Sequence, residues 1–367
     1  MLTSPSPNAP EVTPRFESIA PKTPASRLDA WDAARLVATF GIVWAHVCDA
    51  HGLDASVGTL GRFGTSYYIL AAALFTVRGY HRSASRKFSE DALRKAQRLL
   101  WPYVVWSAVY LVYYAAYSYH SGEAFQELAL WWGPFAGTAL HLWFLPFIFV
   151  WGLWGSWTVP RLMKLPLPVL WMGGILASGL VYWFCYRIVF FAVDRPWLWS
   201  WHLHRLDRWI DETPFYISAI FLGTAFMRLG PGLRAKLSKH SVSIALASGL
   251  VFLLGQVLYA QQVNFIREHT GTDGRFLANL IGLALLCGST ALGHTRLIQL
   301  LAPAGRFTYV AFLAHVLVLE LGRDLMKSLP GYGGVTTALS CAIVIFAVSL
   351  AVSVAVARYR VFRWLRP

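Results

Sequence analysis

Residues 335–357 read VTTALSCAIVIFAVSLAVSVAVA, and this uncharged apolar run decides the class of fold. A transmembrane helix needs about 20 predominantly apolar residues. The whole chain of 367 residues is 56% hydrophobic and only 14% charged, whereas soluble proteins carry about 25% charged residues. Lipid offers the backbone no hydrogen-bond partners, so such runs form helices, and they are too long for the alternating strands of a membrane barrel. The sequence therefore predicts an all-α, polytopic membrane helix bundle.

Similar apolar runs divide the chain into about ten predicted spans, joined mostly by short loops. The spans lie at 33–50, 63–80, 99–118, 139–158, 167–187, 214–229, 241–260, 277–293, 307–323 and 335–357. The longest polar connection between them is expected at 188–213.

The distribution of Lys and Arg predicts the orientation of the bundle, because these residues concentrate in cytoplasmic loops. With the N-terminus inside, about 23 of the 32 Lys and Arg residues face the cytoplasm. We therefore expect both termini on the cytoplasmic side of the inner (plasma) membrane, which an even number of spans allows. The expected organisation is a disordered cytoplasmic tail at 1–30, a membrane domain at 31–358 and a basic cytoplasmic tail at 359–367.

The net charge of +14 invites comparison with nucleic-acid-binding proteins. No recognised nucleic-acid motif accompanies the charge, so we expect it to set topology and expect no nucleic-acid partner. The cysteines lie in or beside apolar runs without close spacing, which predicts small buried side chains and no metal site. These cysteines are Cys48, Cys185, Cys287 and Cys341.

The first span carries an ionisable residue deep in the predicted membrane. His46 follows Arg35 by eleven positions, which is three helical turns plus about 20°, so both side chains project from one face. His46 then lies about 16 Å deeper than Arg35, near the middle of the bilayer. Such a residue is a candidate functional residue, although a histidine hydrogen-bonded between helices would serve packing alone.

A second histidine lies at a similar depth in the ninth span. His315 follows Arg306 by nine positions, which places it about 13–14 Å into the membrane from the same side. Glu320 lies five residues further toward the outside. Together with His46 these residues predict a buried polar centre. A proton-relay transporter would show the same feature, so a transporter or exporter stays an alternative, as does a structural or regulatory membrane protein.

The fourth span opens with HLWFLP at 141–146, which places His141 near the outer rim. We predict a substrate-binding role for His141 and Trp143. The competing interpretation is an aromatic belt at the membrane interface, where tryptophan concentrates in any membrane protein.

Four short motifs in order resemble a known family. DAAR at 32–35 followed by His46 is similar to the first span of the bacterial membrane acyltransferase family that includes O-antigen and peptidoglycan O-acetyltransferases. The Lys95 and Arg98 pair before a proline, the WFL of 143–145, and GRFTY at 305–309 followed by FLAH at 312–315 are similar to later motifs of that family. One stretch departs from the family pattern, because Ala71 and Ala72 follow the paired aromatics of the second span where a Ser-Gly pair is usual.

The resemblance implies transfer of an acyl group, commonly acetyl from acetyl-CoA, to a hydroxyl or amine of a glycan or related metabolite. It implies catalytic roles for Asp32, Arg35, His46 and His315, with His46 as general base or acyl relay. Lys95 and Arg98, with the neighbouring Arg94, are expected to bind the phosphates of acyl-CoA, unless they only set topology. Acceptor contacts are expected from His141, Trp143 and Glu320.

A segment rich in tryptophan gives a further candidate for the acceptor side. Residues 196–209 read PWLWSWHLHRLDRW and interleave aromatic rings with polar groups, a pattern that suits a sugar. An interfacial helix would have the same composition, and this interpretation is preferred.

Overall fold

The structure is a computed structural model that describes residues 26–82, 87–122, 138–139, 141–176, 179, 206–229, 239–270, 276–293 and 295–359. All regular secondary structure within these ranges is helical, which confirms the predicted all-α class. Residues 1–25 of the predicted N-terminal tail, residues 360–367 of the predicted basic tail and most of the segment 196–209 lie outside the described residues. Residues 26–30, predicted to be disordered, are the first residues of a helix.

The helices follow one another along the chain, and a π-helical turn links two of them. The residues Ala96–Leu100 form a π-helical turn between the third and fourth helices, which makes Phe88–Ser121 one continuous rod. The helices are α1 Ser26–Ala50, α2 Ala55–Arg82, α3 Phe88–Lys95, α4 Trp101–Ser121, α5 Phe144–Leu162, α6 Leu167–Leu176, α7 Leu206–Arg228, α8 Ser241–Thr270, α9 Phe276–Ala291, α10 Arg296–Gly305, α11 Thr308–Leu321, α12 Arg323–Lys327 and α13 Val335–Arg358.

Several helices have the length and composition of membrane spans. Within the described ranges, four segments are long and apolar enough to cross a bilayer: Asp29–Ala50, Phe88–Ser121, Ser241–Gln261 and Val335–Arg358. A fifth is possible if α9 and α10, bent by 120°, form one broken span. The chain is therefore a helical membrane protein, while the number of ten spans and the orientation of the termini stay predictions.

The bundle is built around α1 and α2. These two helices cross closely because glycines face the partner backbone: a Cβ on Gly61 would overlap the carbonyl of Gly41, and one on Gly64 would overlap that of Ala38. Small residues at such crossings let helix backbones approach in a membrane, where van der Waals packing replaces the hydrophobic effect. Helices α5, α7 and α9 pack on the other sides of α2, and α10, α11 and α13 pack on α1.

The short helix α11 occupies the interior of this arrangement. Its 14 residues are buried on nearly every side, including His315 at 0% exposure. By contrast, α8 presents a row of exposed leucines and valines, and α13 exposes a similar face, as expected of helices in contact with lipid. Polar side chains are less costly in a helix that is enclosed by protein than in one that faces lipid, so α11 can carry a polar site.

Candidate active site

A cavity of about 130 Å³ lies beside the second half of α1. Its wall combines aromatic rings with ionisable side chains and is assembled from seven helices and the turn before α5. The lining residues are Ile42, Ala45, His46, Asp49, Arg62, Thr65, Ser66, Tyr68, His141, Trp143, Phe144, Glu212, Tyr259, Ala278 and Phe312.

Three histidines meet at this cavity. His46 and His141 line it, and His315 lies directly behind them. The ring centroid of His315 is 5.2 Å from that of His46 and 5.0 Å from that of His141. The structure thus brings together three residues that are far apart in the sequence. Among the described residues there is no group of three or more His, Cys, Asp or Glu side chains arranged to hold a metal ion.

A single hydrogen bond to the backbone defines the tautomer of His315. Its Nδ1 lies 2.6 Å from the carbonyl oxygen of Phe312, one turn earlier in α11. Because a carbonyl only accepts, this contact assigns the proton of the neutral ring to Nδ1 and leaves a lone pair on Nε2. The Nε2 atom is buried and has no hydrogen-bond partner in the described part of the chain.

His141 is held in the same way by the same helix. Its Nε2 donates to the carbonyl oxygen of Leu313 at 3.2 Å, so the lone pair of the neutral ring is on Nδ1. The Nδ1 atom is likewise buried, with no hydrogen-bond partner among the residues that the structure describes. Two neighbouring carbonyls of α11 therefore orient two imidazoles so that each keeps an unprotonated nitrogen, which is the form that accepts a proton.

The aromatic pair of the second span contributes to the same wall. The hydroxyl of Tyr68 lies 2.6 Å from that of Thr39 on α1, and its ring packs against Phe144 and Phe312. Ala71 and Ala72, where the resembling family has Ser-Gly, pack in the core and are not among the lining residues. The departure from the family pattern therefore does not remove a group from the cavity wall.

A separate polar cluster lies at the start of α1. The guanidinium of Arg35 pairs with the carboxylate of Asp32, and Arg306 reaches Asp32 at 3.5 Å and Asp29 at 3.1 Å. A Cβ on Gly305 would overlap the backbone of Asp32, so the absence of a side chain there lets α10 approach α1. We call Asp29, Asp32, Arg35 and Arg306 the ion-pair cluster. Arg35 and His46 share α1, yet Arg35 belongs to this cluster and does not line the cavity.

The residues expected to bind the donor also lie away from the cavity. Lys95 pairs with Asp91 and donates to the hydroxyl of Ser156 at 2.7 Å, which ties α3 to α5. Arg94 faces Glu90 at 3.8 Å on an exposed surface. The side chain of Arg98 is exposed, and its backbone carbonyl accepts the hydroxyl of Tyr309 at 2.8 Å.

The remaining predicted residues divide between the cavity and other places. Trp143 lines the cavity, as His141 does. Glu320 accepts a hydrogen bond from Arg323 at 2.5 Å and lies outside the cavity wall. Within the segment 196–209 the only described side chain is Trp209, which is 9% exposed and packs edge-on against Phe147. This packing fits an anchoring role for that tryptophan.

Sequence reasoning missed several lining residues, of which Glu212 is the most informative. Its side chain is 1% exposed and lies in α7. The predicted sixth span begins at residue 214, which places Glu212 in a polar loop. A carboxylate is common in such a loop and does not indicate a functional site. Extending the helix back to Leu206 turns the same residue into a buried acid in a membrane helix, which is a functional signal.

Comparison with known proteins identifies the family. A family model described as an acyltransferase domain matches residues 28–358, nearly the whole chain. The chain belongs to acyltransferase family 3. Searches of curated proteins and of solved structures give no match.

Family membership makes the protein an acyltransferase that transfers groups other than aminoacyl groups, and it decides against the transporter alternative. It also confirms the resemblance found in the sequence motifs. The matched range contains both the ion-pair cluster and the three histidines of this acyltransferase.

Proposed function

We propose that the acyltransferase moves an acyl group, expected to be acetyl, from cytoplasmic acyl-CoA to a hydroxyl or amine of a glycan or related acceptor of the cell envelope. The observation that carries this proposal is the histidine cluster, in which carbonyls of α11 leave a buried, unprotonated nitrogen on both His141 and His315. The ring of His315 lies against those of both His46 and His141, and His46 faces the cavity.

The proposed step uses His46 as the general base. His46 takes the proton from the acceptor hydroxyl or amine, and the freed oxygen or nitrogen attacks the carbonyl carbon of the thioester. The carbon–sulfur bond then breaks, and coenzyme A leaves as a thiolate that takes up the proton. A covalent variant has His46 attack the thioester first and pass the acyl group to the acceptor. His315 assists by packing against both cavity histidines and holding a further proton-accepting nitrogen beside them.

We place the donor at the end of the bundle where α1 begins. The ion-pair cluster lies there, and the Tyr309–Arg98 hydrogen bond brings the start of α4 to the same end. Arg94, Lys95 and Arg98 supply positive charge for the phosphates of acyl-CoA. The lining residues of α1 come from its second half, Ile42 to Asp49, so acceptor contacts with His141 and Trp143 lie further along the helix. Asp32 and Arg35 assist by fixing the start of the helix that carries His46.

This arrangement matches a ten-span bundle in the inner membrane with both termini cytoplasmic, because the basic loops and the donor would then share one side. Purified protein in detergent should release coenzyme A from acetyl-CoA, and intact-protein mass spectrometry distinguishes a covalent acyl-His46 intermediate from direct transfer. Absence of thiol release by correctly folded protein, with or without cell-envelope extract, would refute acyl-CoA as the donor.

A further inference from the structure

Glu212 is a buried carboxylate that the proposed mechanism does not use. It lines the same cavity as His46 and His141, and its side chain is 1% exposed. Helix α7 carries it there by packing against α2 and α5, the helices that supply Tyr68 and Phe144 to the wall. Glu212 therefore faces the space in which the acceptor would lie.

A carboxylate at this depth is costly to maintain. Transfer of an ionised acid from water to a low-dielectric interior is unfavourable unless a counter-charge or hydrogen bonds compensate for the lost hydration. The cavity wall contains a counter-charge in Arg62, which also lies 3.9 Å from Asp49. Asp49 has a side chain that is 56% exposed and so marks the rim. Among the described residues that line the cavity, the side chains of Asp49 and Glu212 are acidic and that of Arg62 is basic.

We propose that Glu212 selects acceptors by charge in this acyltransferase, an inference that rests on the proposed acyl transfer at the same cavity. Its carboxylate accepts hydrogen bonds from the hydroxyl or ammonium groups of an acceptor and repels an acceptor that carries a negative charge. The repulsion is strong because Glu212 is shielded from water and salt, whereas the charge of Asp49 at the rim is screened. Acceptors are thus neutral or cationic, and Glu212 is a specificity-determining residue.

Two sugars that differ in one group test this inference directly. Methyl glucoside is neutral, and methyl glucuronide has the same ring with a carboxylate. Binding to purified protein is followed by the rise in melting temperature, which does not depend on catalysis, and acyl transfer is followed by release of coenzyme A from acetyl-CoA. Wild-type protein should prefer the glucoside, and Glu212→Gln should reduce that preference roughly tenfold.

Matched variants separate Glu212 from general effects of charge. Glu90→Gln makes the same chemical change on an exposed residue of α3 and should leave the preference as in wild type. Asp49→Asn should reduce the preference less than Glu212→Gln does. Glu212→Asp keeps the charge and should keep the preference. In wild-type protein the preference should persist at about 1 M salt, where exposed charges are screened within about 3 Å, and this measurement needs no variant.

Several results would overturn the inference. It fails if wild-type protein binds the glucuronide as well as the glucoside or binds neither, if high salt abolishes the preference, or if Glu212→Gln leaves the preference unchanged. The proposed function fails separately: if the melting temperature responds to the glucoside but acetyl-CoA never releases its thiol, charge selection stands and the donor assignment falls.

Discussion

The two halves of α1 differ in whether their polar groups are compensated by partners. In the first half, Asp32 and Arg35 pair with each other and with Arg306, so opposite charges compensate inside the ion-pair cluster. In the second half, the ring of His46 packs against His315, which in turn packs against His141, and the carbonyl contacts of His315 and His141 leave on each a buried nitrogen without a hydrogen-bond partner among the described residues. A compensated cluster stabilises a helix junction, whereas an uncompensated one keeps atoms available for chemistry.

Removing the imidazole that faces the cavity should have the largest effect. His46→Ala should lower the rate of acyl transfer at least about a hundredfold, the usual contribution of a positioned general base, while the protein still folds and inserts. The rate is measured as release of coenzyme A by purified protein. His240→Ala, an exposed histidine outside the cavity, is the matched control and should retain the wild-type rate. Full activity in His46→Ala would place the chemistry elsewhere.

Crowding the ion-pair cluster should affect stability more than the chemical step. Gly305→Ala forces a methyl group onto the backbone of Asp32, and overpacking of this kind costs about 1–3 kcal/mol. The apparent melting temperature in detergent should therefore fall. Gly79→Ala meets no atom within 4 Å and is the control, with no loss of stability. A Gly305→Ala protein as stable as Gly79→Ala would show that α10 does not depend on this contact.

Uncoupling the charges of the cluster should have a smaller effect. Asp32→Asn leaves Arg35 and Arg306 without their shared carboxylate, and because both arginines are partly exposed we expect a loss of about 1 kcal/mol. The melting temperature should fall slightly, and activity per folded molecule should fall by a modest factor through displacement of α1. A hundredfold loss of activity at unchanged stability would instead give Asp32 a direct chemical role.

The smallest effect is expected at the donor residues. Replacing Lys95 and Arg98 by Gln should raise the KM for acetyl-CoA about threefold at low salt, with a smaller difference at high salt because screening already weakens phosphate contacts. Lys95 is held by Asp91 and Ser156, so most of the change should come from Arg98. If the orientation in the membrane inverts while KM stays constant for correctly inserted molecules, these charges serve topology alone.

The fold class could be predicted from the sequence because it depends on local composition. A run such as 335–357 has no stable conformation in lipid other than a helix, and α13 occupies Val335–Arg358. Lengths and breaks were harder to predict. Helix α2 extends from Ala55 to Arg82, beyond the predicted span 63–80, and α10 lies between two predicted spans, bent by 120° from α9.

Only part of the candidate site could be predicted from the sequence. His46 and His315 stood out because each is an ionisable residue at a calculated depth, and depth along a helix is a local property. His141 was assigned to the outer rim, yet it packs against His315 at 5.0 Å. Its segment forms a turn before α5, and that turn carries the ring into the interior.

The sequence by itself determined that this protein is helical, that it lies in a membrane and that it belongs to an acyltransferase family, since composition and short ordered motifs carry that information. Only the tertiary structure decided that Arg35 and His46 serve different clusters and that Glu212 lines the same cavity as His46 and His141. The physical reason is that partners in both clusters come from helices far apart in the chain. Ion pairing, ring contacts and burial between them depend on how the helices cross, which no single segment specifies.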